Sequence, residues 1–284
     1  MGSSLILTDN SAQFTRPNFP GFKHLNLLEE SIEFDNGVYS NFRELHVSGF
    51  PKKASASTPV RVVAPSIPAI TNQITTLVRQ CDDLFIMLIS SELNQNFTLC
   101  EEIVENIHGR AAIHLIDTKA FSIGQGQIIQ FAAELIHAEK SGSMIDEKIR
   151  QEIPHIYSLL TTPNFSYLQK SGFIDIGQSV SGEMLSFMPI FNLDGGRLIP
   201  VEKVKNIRSV IDYFIEFLDE FEDLKSVAVI QPYPAYTNET KLIRQHVDEF
   251  FPEAQYSEHS INPYLASLIG PQGFSIVVKE NSQP

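Results

Sequence analysis

The chain has 284 residues, enough for roughly two domains with sizeable cores, and its 43% hydrophobic and 19% charged residues are ordinary for globular material. A formal net charge of −13, from 34 acids and 21 bases with no basic cluster longer than Lys52-Lys53, argues against nucleic acid or an anionic membrane surface as partner. Cys81 and Cys100 are the only cysteines, form no CxxC pair, and read as reduced thiols of a cytoplasmic protein.

Met1 to Asp9 has no basic region and too short an apolar run for a signal peptide, and no run approaches the ~20 apolar residues of a membrane span. Leu5 to Leu7 therefore reads as a first short strand, closed by the polar Thr8-Asp9-Asn10-Ser11. Asp35-Asn36-Gly37 predicts a tight turn between Ile32-Phe34 and Val38-Tyr39. Pro51 to Pro68 is a loop, because proline removes a donor and clashes with the preceding helical turn. Ile70 to Val78 resumes a helical period.

The apolar run Leu84-Phe85-Ile86-Met87-Leu88-Ile89 does not alternate, which suits a strand covered on both faces. Phe97, Cys100, Ile103, Val104 and Ile107 then recur at helical spacing, so Ser90-Ser91 is expected where a central strand ends and a helix begins. That edge faces the ligand crevice in open α/β sheets, and helix-start amides attract anions. Two serines there also suit plain helix capping. Ala111 to Ile116 predicts another strand, ending in Asp117-Thr118-Lys119, and Gln127 to Lys140 a long buried helix stopped near Gly142. Gly124-Gln125-Gly126 falls short of a dinucleotide fingerprint because Ile129 occupies the third glycine position.

After Pro154 the pattern changes. Ile156 to Thr161 reads as a strand, Asn164 to Lys170 as a short helix, and Ser179 to Gly182 as a polar loop. Asp194-Gly195-Gly196 joins Met188–Leu193 and Leu198–Val204 as a hairpin, and Ile207 to Phe221 is the clearest amphipathic helix. Val227 to Ile230, a helix from about Asn238 to Phe251, and Ser275 to Val278 follow. The first half alternates strand and helix like a parallel sheet, while hairpins mixed with helices suggest an α+β domain after Pro154. A crevice between such domains is the first place to look for a ligand.

The eight histidines show no metal-ligand spacing, and neither a GxSxG elbow nor a P-loop occurs. A hydrolase or transferase using Ser91 as nucleophile, with Asp117 and a distant histidine, carries no motif and requires an activating base in hydrogen-bond reach. The residues by themselves support a crevice of hydroxyls and backbone amides, which can hold a carboxylate by hydrogen bonds, with apolar walls for a tail.

A set of motifs now takes on meaning. Leu7-Thr8-Asp9-Asn10-Ser11, the loop Lys53-Ala54-Ser55-Ala56-Ser57-Thr58-Pro59, and Ile89-Ser90-Ser91-Glu92-Leu93 come first. Ile116-Asp117-Thr118 with Ser122-Ile123-Gly124-Gln125-Gly126, and Gly270-Pro271 with Gly273, complete it. In order and spacing over nearly the whole chain these resemble the DegV family of bacterial fatty-acid-binding proteins. The resemblance implies an α/β, two-domain DegV-like fold with a long-chain fatty acid or similar lipid between the domains. An N-terminal parallel α/β domain would span 1–154, including a small hairpin and loop at about 27–68. A C-terminal α+β lipid-binding domain would span 155–284.

It further implies a cytoplasmic, non-catalytic carrier without metal or cofactor, of a kind that in some members presents its fatty acid to a separate fatty-acid kinase. Ser91 and Ser55 carry over as head-group donors, with Ser90 and Ser267 as further hydroxyls, and Lys205 as the kinase-facing or phosphate-near residue. Four positions depart from the family pattern. Ala54 replaces a threonine and Leu268 a histidine of the head-group site, while Phe173 and Lys205 stand where the family has arginines. Lysine keeps a charge but not the bidentate fork. The expectation is retained lipid binding with an altered or lost kinase partnership.

Overall fold

The computed structural model describes residues 3–55 and 59–281, so Ala56, Ser57 and Thr58 of the loop motif, and Met1-Gly2, lie outside the described residues. The chain forms two compact units: one gathers residues up to Ser31 with Val63–Pro154, the other Ile32–Val62 with His155 onward. Residues 32–62 thus gather with the second unit, although the sequence-based division counts them with 1–154. The reason is hydrogen bonding. A proline-rich loop has few ladder partners, and its backbone groups find side chains instead. Tyr167 donates its hydroxyl to Pro51 O at 2.7 Å, Asn164 Nδ2 donates to Lys52 O at 3.0 Å, and Ala54 N donates to Ser166 Oγ at 3.0 Å.

In the first unit, strands Leu25–Leu27, Ser4–Thr8, Asp83–Leu88 and Ala112–Asp117 lie side by side in that order, all parallel. Leu84 to Ile89 are wholly buried, as an unalternating apolar run requires. On one face Leu7, Leu84, Ile86 and Leu88 pack against Ile70, Ile74 and Leu77 of helix Ile67–Val78 and against Cys100 and Ile103 of helix Asn96–Val104. Each such fully buried Leu or Ile contributes about 1.5–3 kcal/mol.

Helix Ser122–His137 begins earlier than the apolar period suggests and takes Gly124-Gln125-Gly126 into its first turns. Gly126 is there for close approach: a Cβ would lie 1.7 Å from Gln13 O. Gly142 does not stop that helix but starts the next, Gly142–Glu152.

The second unit is built on a mixed sheet ordered Arg197–Val204, Met188–Asp194, Ile156–Thr161, Phe274–Glu280, Leu224–Gln231, Gln255–Ser260. Its neighbours are antiparallel except the last pair. Helices Ile207–Leu218 and Thr240–Phe250 bury Val210, Ile211, Phe214, Ile243 and Val247 against Val227, Val229, Phe274 and Ile276. The predicted polar loop at Ser179–Gly182 is instead inside helix Ile176–Leu185. A capping box between Asp175 and Gln178 nucleates that helix, and Gly182 lets the Phe165 ring approach it, since a Cβ there would lie 2.1 Å from a ring carbon. Gly37–Tyr39, Ser31–Phe34 and Val60–Val63 make a small separate sheet, with Asp35 and Asn36 at φ 48° and 60° in its hairpin turn.

Candidate functional site

In the parallel sheet Leu88 is paired with Asp117, so the segments leaving both strands run together. Thr118 N and Oγ1 donate to Leu88 O at 3.1 and 2.7 Å, and Ser90 N donates to Ala120 O at 3.0 Å. This places Ser91 over the Asp117 carboxylate. Ser91 Oγ donates to Asp117 Oδ2 at 2.5 Å, and Ser91 N lies 3.3 Å from both carboxylate oxygens.

Lys119 closes the group. Its backbone sits at φ 53°, in the left-handed region that costs a non-glycine residue free energy, with its N–H donating to Asp117 Oδ1 at 3.0 Å. The turn brings Lys119 Nζ to 2.6 Å from Asp117 Oδ2 and 3.5 Å from Ser91 Oγ. The Ser91 hydroxyl, half-buried, therefore sits between an acceptor and a cationic donor.

The two serines do not start the next helix, which begins at Asn96. Ser90 O accepts from Leu93 N and Asn94 N, and Ser90 Oγ accepts from Glu92 N at 3.3 Å, making a turn. Asn94 Oδ1 instead takes the amide of Asn96 at 2.9 Å. Both the capping reading and the helix-amide anion site at Ser91 are corrected by this. The cation beside Ser91 is Lys119, which sequence reading passed over. No local signal marks it: the parallel register that puts Asp117-Thr118-Lys119 beside Leu88 is tertiary.

Beneath lies a buried polar layer. Asp9, wholly buried, accepts from Ile89 N at 2.7 Å, Ser11 N at 3.1 Å and Gln125 Nε2 at 3.0 Å. Glu30, also buried, accepts from Asn10 N at 2.8 Å and Asn96 Nδ2 at 2.6 Å. Burial pushes the Asp9 carboxyl up to about 6. Burial, and then the Asp9 charge, push Glu30 up to about 7. These groups tie strand end, loop and helix start together rather than facing a ligand.

The remaining sequence-predicted residues lie in the second unit. Ser55 is half-buried, and its carbonyl accepts from Lys170 Nζ. Ser267, on helix Pro263–Ile269, is buried and donates to Tyr264 O at 2.7 Å. The carbonyl of Leu268 accepts from Ser171 Oγ at 2.7 Å. Lys205 is exposed just after strand Arg197–Val204, and Phe173 is half-buried with its N–H donating to Leu168 O at 2.9 Å. Gly270, at φ 88°, admits the Asn164 side chain, whose Oδ1 would lie 2.4 Å from a Cβ. That explains one glycine of the C-terminal motif by packing.

For nucleophilic chemistry at Ser91 the structure offers Asp117 and Lys119 within reach, but they are bonded to each other. An ammonium held 2.6 Å from a carboxylate has no lone pair for the serine proton. No histidine bonds to Ser91 among the described residues, and there no three His, Cys, Asp or Glu side chains converge for a metal ion.

Known proteins share this fold. A family model described as "Uncharacterised protein, DegV family" matches residues 3–281. A DegV domain-containing protein of Staphylococcus aureus (strain COL) is 21% identical over 278 residues, covering 95% of each chain. A fatty acid binding DegV family protein of Streptococcus agalactiae superposes with a TM-score of 0.84 at 17% identity, covering 99% of both chains. The Streptococcus pneumoniae fatty acid kinase (Fak) B3 protein, solved loaded with linoleic acid, gives 0.82 at 13% identity over 98% of this chain and 100% of that one.

Proposed function

The chain belongs to the DegV family, and from that premise we propose that it is a non-catalytic carrier of a long-chain fatty acid. The observation that carries the reading is the Ser91 hydroxyl, half-buried at the end of the central strand with a cationic donor beside it. A hydroxyl with a nearby ammonium can take a carboxylate head group without a buried, unpaired charge. The relatives described as fatty acid binding, or loaded with linoleic acid, support the ligand class. Ser91 is the head-group donor of this proposal and Ser55 a second one. Ser90 and Ser267 rank lower, since their hydroxyls bond within their own segments. The reading includes a cytoplasmic location and no cofactor. Among the described residues, no helix is long and apolar enough to cross a membrane.

Native mass spectrometry and lipid extraction of the purified protein test it: a long-chain acid should co-purify, and delipidated protein should take up hexadecanoic acid. Ser91→Ala should lower retention on the order of tenfold, from the loss of about one hydrogen bond to a charged group. Protein that arrives empty and takes up no acid would refute the carrier.

A weakened or lost presentation to a separate kinase, with Lys205 as the residue that would face it and Phe173 where family members carry an arginine, is a further part of the proposal. With ATP and a fatty-acid kinase subunit, the wild-type protein should yield little acyl phosphate, and Phe173→Arg should raise it. No gain from that arginine would remove Phe173 from the account.

A further inference from the structure

We propose that Lys119 makes the site at Ser91 selective for acidic head groups, a proposal that rests on the reading of Ser91 as a lipid head-group donor. The Ser91 hydroxyl has one proton, and in this structure Asp117 Oδ2 accepts it at 2.5 Å. A head group that uses that proton must draw it from Asp117 and then lies next to a carboxylate. For an alcohol, ester or amide this is tolerable. For an ionised acid it is a like-charge contact on a chain whose net charge is already −13.

Lys119 removes the conflict. Its ammonium carries three hydrogens, lies 2.6 Å from Asp117 Oδ2 and 3.5 Å from Ser91 Oγ, and can hold Asp117 with one hydrogen while giving another to the ligand. Its side chain is 41% exposed against 10% for Asp117, so the lysine can re-partner and the aspartate stays fixed. The backbone points the same way. Lys119 occupies a left-handed conformation, φ 53°, that glycine would adopt without strain, and Asp117 Oδ1 holds it there through the Lys119 N–H. The strained turn returns the ammonium to the strand end instead of releasing it to solvent.

Delipidated protein is titrated separately with hexadecanoic acid and hexadecan-1-ol, and the acid-to-alcohol affinity ratio is read for wild type, Lys119→Gln, Lys119→Gly and Lys119→Arg. Wild type should favour the acid on the order of tenfold, the size of one partly exposed charge-assisted contact. Lys119→Gln should bring the ratio close to one while still taking up the alcohol, and Lys119→Arg should keep most of the preference. Lys119→Gly relaxes the backbone strain, so it should fold at least as well as wild type and still lose the preference. Either neutral variant keeping the full acid preference overturns the role of Lys119. Wild type that takes up neither probe overturns the lipid reading itself, and this proposal with it.

Discussion

Two aspartates stand at the C-terminal ends of parallel strands in the first unit's sheet and end up chemically different. Asp9 follows strand Ser4–Thr8 and Asp117 ends strand Ala112–Asp117, with Asp83–Leu88 between them. Asp9 is wholly buried, in no ion pair among the described residues, and accepts the backbone amides of Ile89 and Ser11 and side-chain amides of Gln125 and Asn96. Asp117 keeps a sliver of exposure and a lysine at 2.6 Å. Burial without a countercharge raises a carboxyl's pKa and makes it a fastener for loops. A countercharge and partial exposure leave the second strand end with a hydroxyl and an ammonium close to solvent. The difference teaches that a polar strand end in this fold is not a binding site by position alone.

Four changes would break or sharpen that contrast. The largest effect is expected from Gly126→Ala, whose methyl would meet Gln13 O at 1.7 Å and lift the segment following Asp9 off its helix. Overpacking against backbone should cost about 3 kcal/mol or more, read as the shift in a urea midpoint. Next comes Asp9→Ala, which strands the amides of Ile89 and Ser11 and the Gln125 amide. Orphaned donors, partly offset by removal of a buried charge, should leave a loss of about 2 kcal/mol. A loss too small to resolve would mean that Asp9 fastens nothing.

The third concerns pH. Asp9 rises from 3.8 to about 6 and Glu30 from 4.5 to about 7, so between those values the folded chain holds protons the unfolded chain releases. Their effect on stability is most favourable below the unfolded pKa values. It falls as pH rises through the window and levels off above the folded ones. Urea midpoints at about pH 5 should therefore exceed those at about pH 8 by the equivalent of about 1–2 kcal/mol, and Glu30→Gln should flatten the slope. His24 and His259, both pushed down by burial, titrate in the opposite sense over this range, so a slope that Glu30→Gln leaves unchanged is the result that would contradict the buried pair. The smallest effect on stability belongs to Asp117→Asn, under about 1 kcal/mol because the ion pair it breaks is partly exposed. A thermal or urea melt should barely move, and a loss matching that of Asp9→Ala would erase the distinction between the two strand ends.

Much of the scaffold was legible because it rests on local periodicity. Leu84 to Ile89 could only suit a doubly covered strand, and the series through Val210, Ile211 and Phe214 could only suit a helix with one buried side. Glycines misled where their reason was tertiary. Gly126 and Gly182 look like loop residues, yet each sits in a helix because Gln13 backbone or the Phe165 ring presses on it. The candidate site was legible only as a place: the sequence singled out Ser91 as a neighbour of helix amides, and the next helix begins at Asn96. Lys119 was passed over because nothing in its own segment marks a residue that must adopt positive φ.

What the sequence determined by itself is the buried central strand ending in two serines, and the ordered motifs that make the chain a DegV family member. Only the tertiary structure decided what those serines face. Ser91 and Asp117 are 26 residues apart, and they meet through the parallel pairing of Leu88 with Asp117. That register is set by which strands lie side by side and is invisible to any local period. The charge state of Asp9 depends likewise on what packs over it, and burial belongs to the whole fold.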